Sequence, residues 1–162
     1  MLLFKTKIPA DQYLAAKWDF VFAPEREQMW DAFRTAANDP ALNAADTQIL
    51  FENMRALYLE LFNIVLTKTL RMNAAHIKYT VAFHNRIKDQ PNLNHLVSEY
   101  ASAFGHSLEQ GFADGVIPML HVFNANVAGG KLKAETLQQL HAEFYSIIPL
   151  MRDDLKKFKL VP

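Results

Sequence analysis

Apolar residues recur every three or four positions along almost the whole chain, and no convincing run alternates with period two. That spacing lines one face of an α-helix, so the pattern predicts an all-α protein without a sheet. Proline and glycine punctuate it at Pro9, Pro24, Asp39-Pro40, Gln90-Pro91 and Gly129-Gly130. Short connections return successive helices antiparallel, which predicts a single-domain, up-and-down bundle of about six or seven helices.

The first predicted helix runs from Ala10 to Phe22, with Leu14, Trp18 and Val21 on one face. Pro24 suits the first position of a second, and Glu25 and Glu27 suit its positive end. The third is the longest, from Ala44 to Arg71, or roughly 40 Å. Its polar positions Asn53, Glu60, Asn63, Thr67 and Arg71 form one narrow stripe, and nearly everything else is apolar. A helix apolar on most of its circumference is buried on several sides, so this one is predicted to be central.

A fourth helix spans Asn73 to Asp89, carrying Ile77, Val81, Phe83 and Ile87. The fifth begins near Asn92 and shows the stripe Leu93, Val97, Tyr100, Phe104, Leu108 and Phe112. Gly115 and Pro118 break or kink it, because Pro118 has no N–H for the carbonyl of Asp114. A segment from Pro118 to Val127 follows. The last helix starts near Lys133, where Leu132 and Leu137 can form a hydrophobic staple. Its stripe runs through Leu137, Leu140, Phe144, Ile148, Met151, Leu155 and Phe158, with a kink where Pro149 frees the carbonyl of Tyr145.

Composition adds one hint. The AVILMFWYC share is 51% against a usual 45–50%, and charged residues make up 21%. A subunit interface or an apolar pocket would use that mild surplus. Lys plus Arg and Asp plus Glu both total 17, so no net field draws nucleic acid or an acidic membrane. The basic run Lys156, Lys157 and Lys159, beside Asp153 and Asp154, reads as a solvated helix end. With no cysteine, disulfides, thiol nucleophiles and Cys-based zinc sites are excluded. Met1 to Phe4 is too short an apolar run for a signal peptide. Leu57 to Leu66, interrupted by Glu60 and Asn63, is too short for a membrane span. A cytoplasmic location is the expectation.

Candidate chemistry is sparse. His95, Glu99, Ser102, His106 and Glu109 step by four and three, so they share one face of the fifth helix. His and Glu at i,i+4 can share a metal, but this face lies opposite the apolar stripe, where solvent normally is. No Glu-x-x-His and no His-Glu-x-x-His occurs, so neither a metal nor a cofactor is predicted. His76 and His84 stand too far round one helix to chelate together, though either could meet His121 or His141 from another. Gly111 and Gly115, four apart beside Pro118, permit a close helix crossing or leave room for a ligand. The candidate ligand-binding set is therefore His84, His95, Glu99, His106, His121, Gly111 and Gly115.

Seven aromatic residues fall within the first 33 positions, among them Trp18, Phe20, Phe22 and Trp30. They read as a lid on the core or as a docking surface, since aromatics are enriched at interface hot spots. No convergent catalytic set, phosphate loop or basic helix face occurs. The leading expectation is a non-catalytic bundle acting through protein–protein contact, as a homodimer or with another protein. A small-molecule or metal-binding bundle is the alternative.

Overall fold

Helix starts are written into the chain by side chains that accept the first free N–H groups. Asp46 takes the amides of Gln48 and Ile49, and Asn73 takes that of His76. The computed structural model describes residues 5–70, 72–109 and 115–162, with only the backbone for 106–109. Among these residues the chain forms β1 (Thr6–Pro9), α1 (Ala10–Phe22), α2 (Pro24–Ala37), α3 (Pro40–Asn43) and α4 (Thr47–Thr69). It continues as α5 (Ala74–Ile87), α6 (Pro91–Glu109), α7 (Val116–Ala128), α8 (Ala134–Lys157) and β2 (Phe158–Val161). The architecture is an all-α helical bundle. Among the described residues no helix is long and apolar enough to cross a membrane.

The expected central helix is α4, which packs against α1, α2, α6, α7 and α8. Every residue from Ala56 to Phe62 is buried, covering the whole circumference, as a helix enclosed on all sides requires. Around it lies the larger apolar cluster, including Leu57, Tyr100, Phe123 and Phe144. A smaller cluster joins Tyr13 and Leu14 of α1 to Leu66, Ala75, Tyr79 and Leu155.

Three features depart from the sequence expectation. A two-stranded parallel sheet does form: Thr6 pairs with Phe158 and Ile8 with Leu160. Phe158 therefore leaves the stripe of the last helix for a strand, and Ile8, Phe158 and Leu160 cap the smaller cluster. Four-residue strands from opposite ends of the chain leave too short an alternation to read.

Pro118 falls in the first turn of α7, where its missing N–H would have had no helical partner. It marks the start of α7, in keeping with the expected break at Gly115 and Pro118. Pro149 lies inside α8, which continues unbroken to Lys157.

Ile77 and Val81 of α5 are about half exposed, at 56% and 55%. This helix packs mainly on α1, through Ala75, Tyr79 and the partly buried Phe83, so its other apolar edge faces outward.

The connection before α4 also holds a short helix. Asp39 caps it by accepting from the amides of Ala41 and Leu42. The second carboxylate oxygen of Asp39 accepts from the amide of Lys133 at 2.8 Å and the hydroxyl of Thr136 at 2.6 Å. One buried side chain thus secures the start of α3 and, across the bundle, the start of α8.

Candidate functional site

The sequence-derived candidates do not converge on one place. His95 is 73% exposed, and its Nε2 lies 3.6 Å from Glu99 Oε1. Glu99 is only half of a solvated face, because its other oxygen accepts from Asn126 of α7 at 3.0 Å. Asn126 also reaches Oδ1 of the buried Asn53, which accepts the Tyr100 hydroxyl at 2.7 Å. Burial, with Glu99 adding to it, raises the Tyr100 hydroxyl well above the ordinary tyrosine range, so it stays a donor. This chain ties α6 to α7 and α4.

His84 is exposed on α5, away from the others. His121 and His141 both line a shallow apolar hollow of about 260 Å³ between α7 and α8, and the His141 ring stacks on Tyr145. Gly115 lines another cavity, of about 380 Å³, with Phe104, Pro149, Lys68 and Arg152. A Cβ at Gly115 would stand 2.0 Å from the Phe104 ring, so close packing is the reason for this glycine. The side chain of His106, and Gly111 entirely, lie outside the described residues. Among the described residues no three His, Asp or Glu side chains gather as a metal would need.

The aromatic N-terminus divides. Trp18 and Trp30 are 8% and 4% exposed, so both side chains pack in the core. Trp18 stacks on Phe22 with ring centres 5.0 Å apart, and Trp30 tilts against Phe51 and Tyr58. Phe22 is partly buried against the core. Two short helices must bury something large to be stable, and the indoles serve that purpose. Phe20 is the most exposed of the four, at 38%.

Phe20 opens onto a groove of about 590 Å³ between α1, α2, α4 and α8. Its floor includes Tyr58, Phe62, Ile147 and Met151. Phe20, Met29 and Leu150 stand along it, the last two 50% and 67% exposed. The Phe20 ring meets Phe62 edge-on, and the Arg26 guanidinium sits 3.6 Å over its face. Lys17 pairs with Asp154 and lies 4.8 Å over the Tyr13 ring. Burial, with Glu143 adding to it, pushes the Tyr58 hydroxyl up to about 12, so the groove wall keeps a protonated hydroxyl at neutral pH.

Sequence reasoning reached Phe20 but missed Leu150, Glu143 and the opposition of α2 to α8. One signal was present: Leu150 is a large apolar residue off the α8 stripe, one position from Met151.

No protein-family model, curated protein or solved structure matches this chain.

Proposed function

We propose that the protein acts through non-covalent protein–protein contact, with a second copy of this chain seated in the groove between α1, α2 and α8. The observation that carries this reading is the convergence of Phe20, Met29 and Leu150, three exposed large apolar side chains, on one concave surface. Scattered apolar exposure is ordinary, whereas a contiguous patch with a polar rim marks an interaction site. The rim holds both signs, Lys17 and Arg26 with Glu143 and Asp154. A two-fold interface brings the same patch of each copy together, so mixed sign on one patch permits self-complementarity. Equal totals of 17 basic and 17 acidic residues add no long-range repulsion between copies.

Sedimentation tests the reading. The expected result is a dimer at micromolar concentration that Leu150→Asp and Met29→Glu each convert to a monomer without loss of helical circular dichroism. A monomer throughout that range, or a dimer indifferent to both substitutions, overturns it. Burial of Trp18 and Trp30 predicts shielding of tryptophan fluorescence from a soluble quencher in either state.

A further inference from the structure

A different kind of site lies between α4 and α5, which approach each other sparingly. The space between them is a cavity of about 170 Å³ walled by Glu60, Asn63 and Thr67 on one side and His76, Tyr79, Thr80 and Phe83 on the other. Glu60 is 8% exposed and Tyr79 3%, while Thr67 and Thr80 are exposed at the margin. The Thr67 hydroxyl and His76 Nε2 face each other at 3.4 Å, His76 Nδ1 faces the Met72 sulfur at 3.0 Å, and the other wall donors are already committed. Asn63 Nδ2 donates to Glu60 Oε2 at 3.2 Å, the Tyr79 hydroxyl to Asn63 Oδ1 at 3.3 Å, and the Thr80 hydroxyl to the His76 carbonyl at 3.0 Å. Lone pairs remain on the oxygens of Tyr79 and Thr80. Glu60 Oε1 has no donor among the described residues, and it is not sealed from solvent. Among those residues no lysine or arginine pairs with this carboxylate.

A wall rich in acceptors, holding one nearly buried carboxylate without a cation, is complementary to a ligand with several N–H donors and one positive charge. We infer that the cavity between α4 and α5 binds a small primary alkylammonium ion, its N–H groups shared between Glu60 Oε1 and the hydroxyl oxygens of Tyr79 and Thr80. The alkyl part lies against Leu66 and the Phe83 ring, the other apolar walls. At about 30 Å³ per water, the volume holds roughly five or six non-hydrogen atoms, so a short alkylammonium fills it. A single carboxylate with one amide and hydroxyls is a poor shell for a divalent cation, which takes six or more oxygens. This inference does not depend on the groove, whose lining shares no residue with the cavity.

The test uses the full chain at pH 8 and constant ionic strength, titrated with n-propylammonium chloride and followed by calorimetry and amide NMR. Saturable binding at about 1 mM or tighter is expected, with shifts confined to the facing stretches of α4 and α5. Tetramethylammonium, which has no N–H, and potassium should produce neither response. Glu60→Gln preserves the side-chain shape and should weaken binding by about tenfold or more, while thermal stability is held or raised. Thr80→Val, at the exposed margin, should weaken it by about threefold. No saturation, equal binding of tetramethylammonium or potassium, or wild-type affinity in Glu60→Gln overturns the inference. Were Glu60→Gln not to fold, wild-type affinity in Thr80→Val would do so.

Discussion

Asp39 and Glu60 are both buried carboxylates, and the protein treats them in opposite ways. Asp39 is fully enclosed and accepts from four donors: the amides of Ala41, Leu42 and Lys133, and the hydroxyl of Thr136. Glu60, at 8% exposure, accepts from Asn63 alone among the described residues. Burial pushes both carboxyls up. At Asp39 the hydrogen bonds, that of Thr136 foremost, outweigh it and hold the group below its ordinary value. At Glu60 burial prevails over the single Asn63 bond and carries the group up to about 7. The lesson is that donors, not depth, decide whether a buried acid is held ionised or driven toward its neutral form.

The contrast can be broken most forcefully at Asp39. Asp39→Ala leaves the starts of α3 and α8 without their acceptor and strands the Thr136 hydroxyl, which should cost about 2–4 kcal/mol in urea denaturation. A loss under about 1 kcal/mol would show that solvent replaces the carboxylate and that it is no fastener.

Glu60→Gln should move stability the other way at pH 8. The neutral amide removes a charge held in an unfavourable site, for a gain of about 1–3 kcal/mol at roughly 1.4 kcal/mol per pKa unit. A loss of similar size would mean that the ionised carboxylate is stabilising and would equate the two sites.

Acid titration of stability sharpens the comparison further, because the signs are opposite. Glu60 has a folded value, about 7, above the 4.5 of a free side chain, so the fold prefers its protonated form. Its contribution is full below the free value and falls as pH rises from 4.5 to about 7. Asp39 has a folded value below its ordinary 3.8, so its contribution is present above 3.8 and lost as pH falls through the folded value. The urea midpoint of wild type minus that of Glu60→Gln should therefore decline between pH 5 and pH 8 and level off above. A difference flat over that interval contradicts the assignment.

The smallest effect belongs to Glu99, whose partner Asn126 sits near the surface. Glu99→Ala should cost about 1 kcal/mol or less in the same assay, since solvent can replace one partly exposed acceptor. A cost equal to that at Asp39 would make the Asn53–Tyr100–Asn126 chain a second fastener.

The helices were legible because their signals are local. Apolar spacing placed α4 at the centre, Pro24 and Gln90-Pro91 marked boundaries that the structure keeps, and Lys133 starts α8 where the staple of Leu132 and Leu137 put it. The candidate sites were far less legible. The polar stripe of α4 reads as one face in the sequence, yet the fold divides it among three neighbours, α5, α6 and α7. Asn53 turns to Tyr100 and Asn126, while Glu60 and Asn63 turn to α5. Nothing in their spacing names those partners.

What the amino-acid order determined by itself was therefore whatever repeats within one or two helical turns: helix content, most helix ends, and the burial of Leu57 and Leu61 on a nearly all-apolar helix. Tertiary structure alone decided what depends on residues distant in the chain. It turned Ile77 and Val81 outward by docking α5 on α1, drew Trp18 and Trp30 into the core, and paired β1 with β2. It also gave Asp39 four donors and Glu60 one. The physical reason is reach. Backbone hydrogen bonding in a helix closes over four residues, so its period is written into neighbouring positions, whereas the partner of a buried side chain is chosen by how whole helices pack.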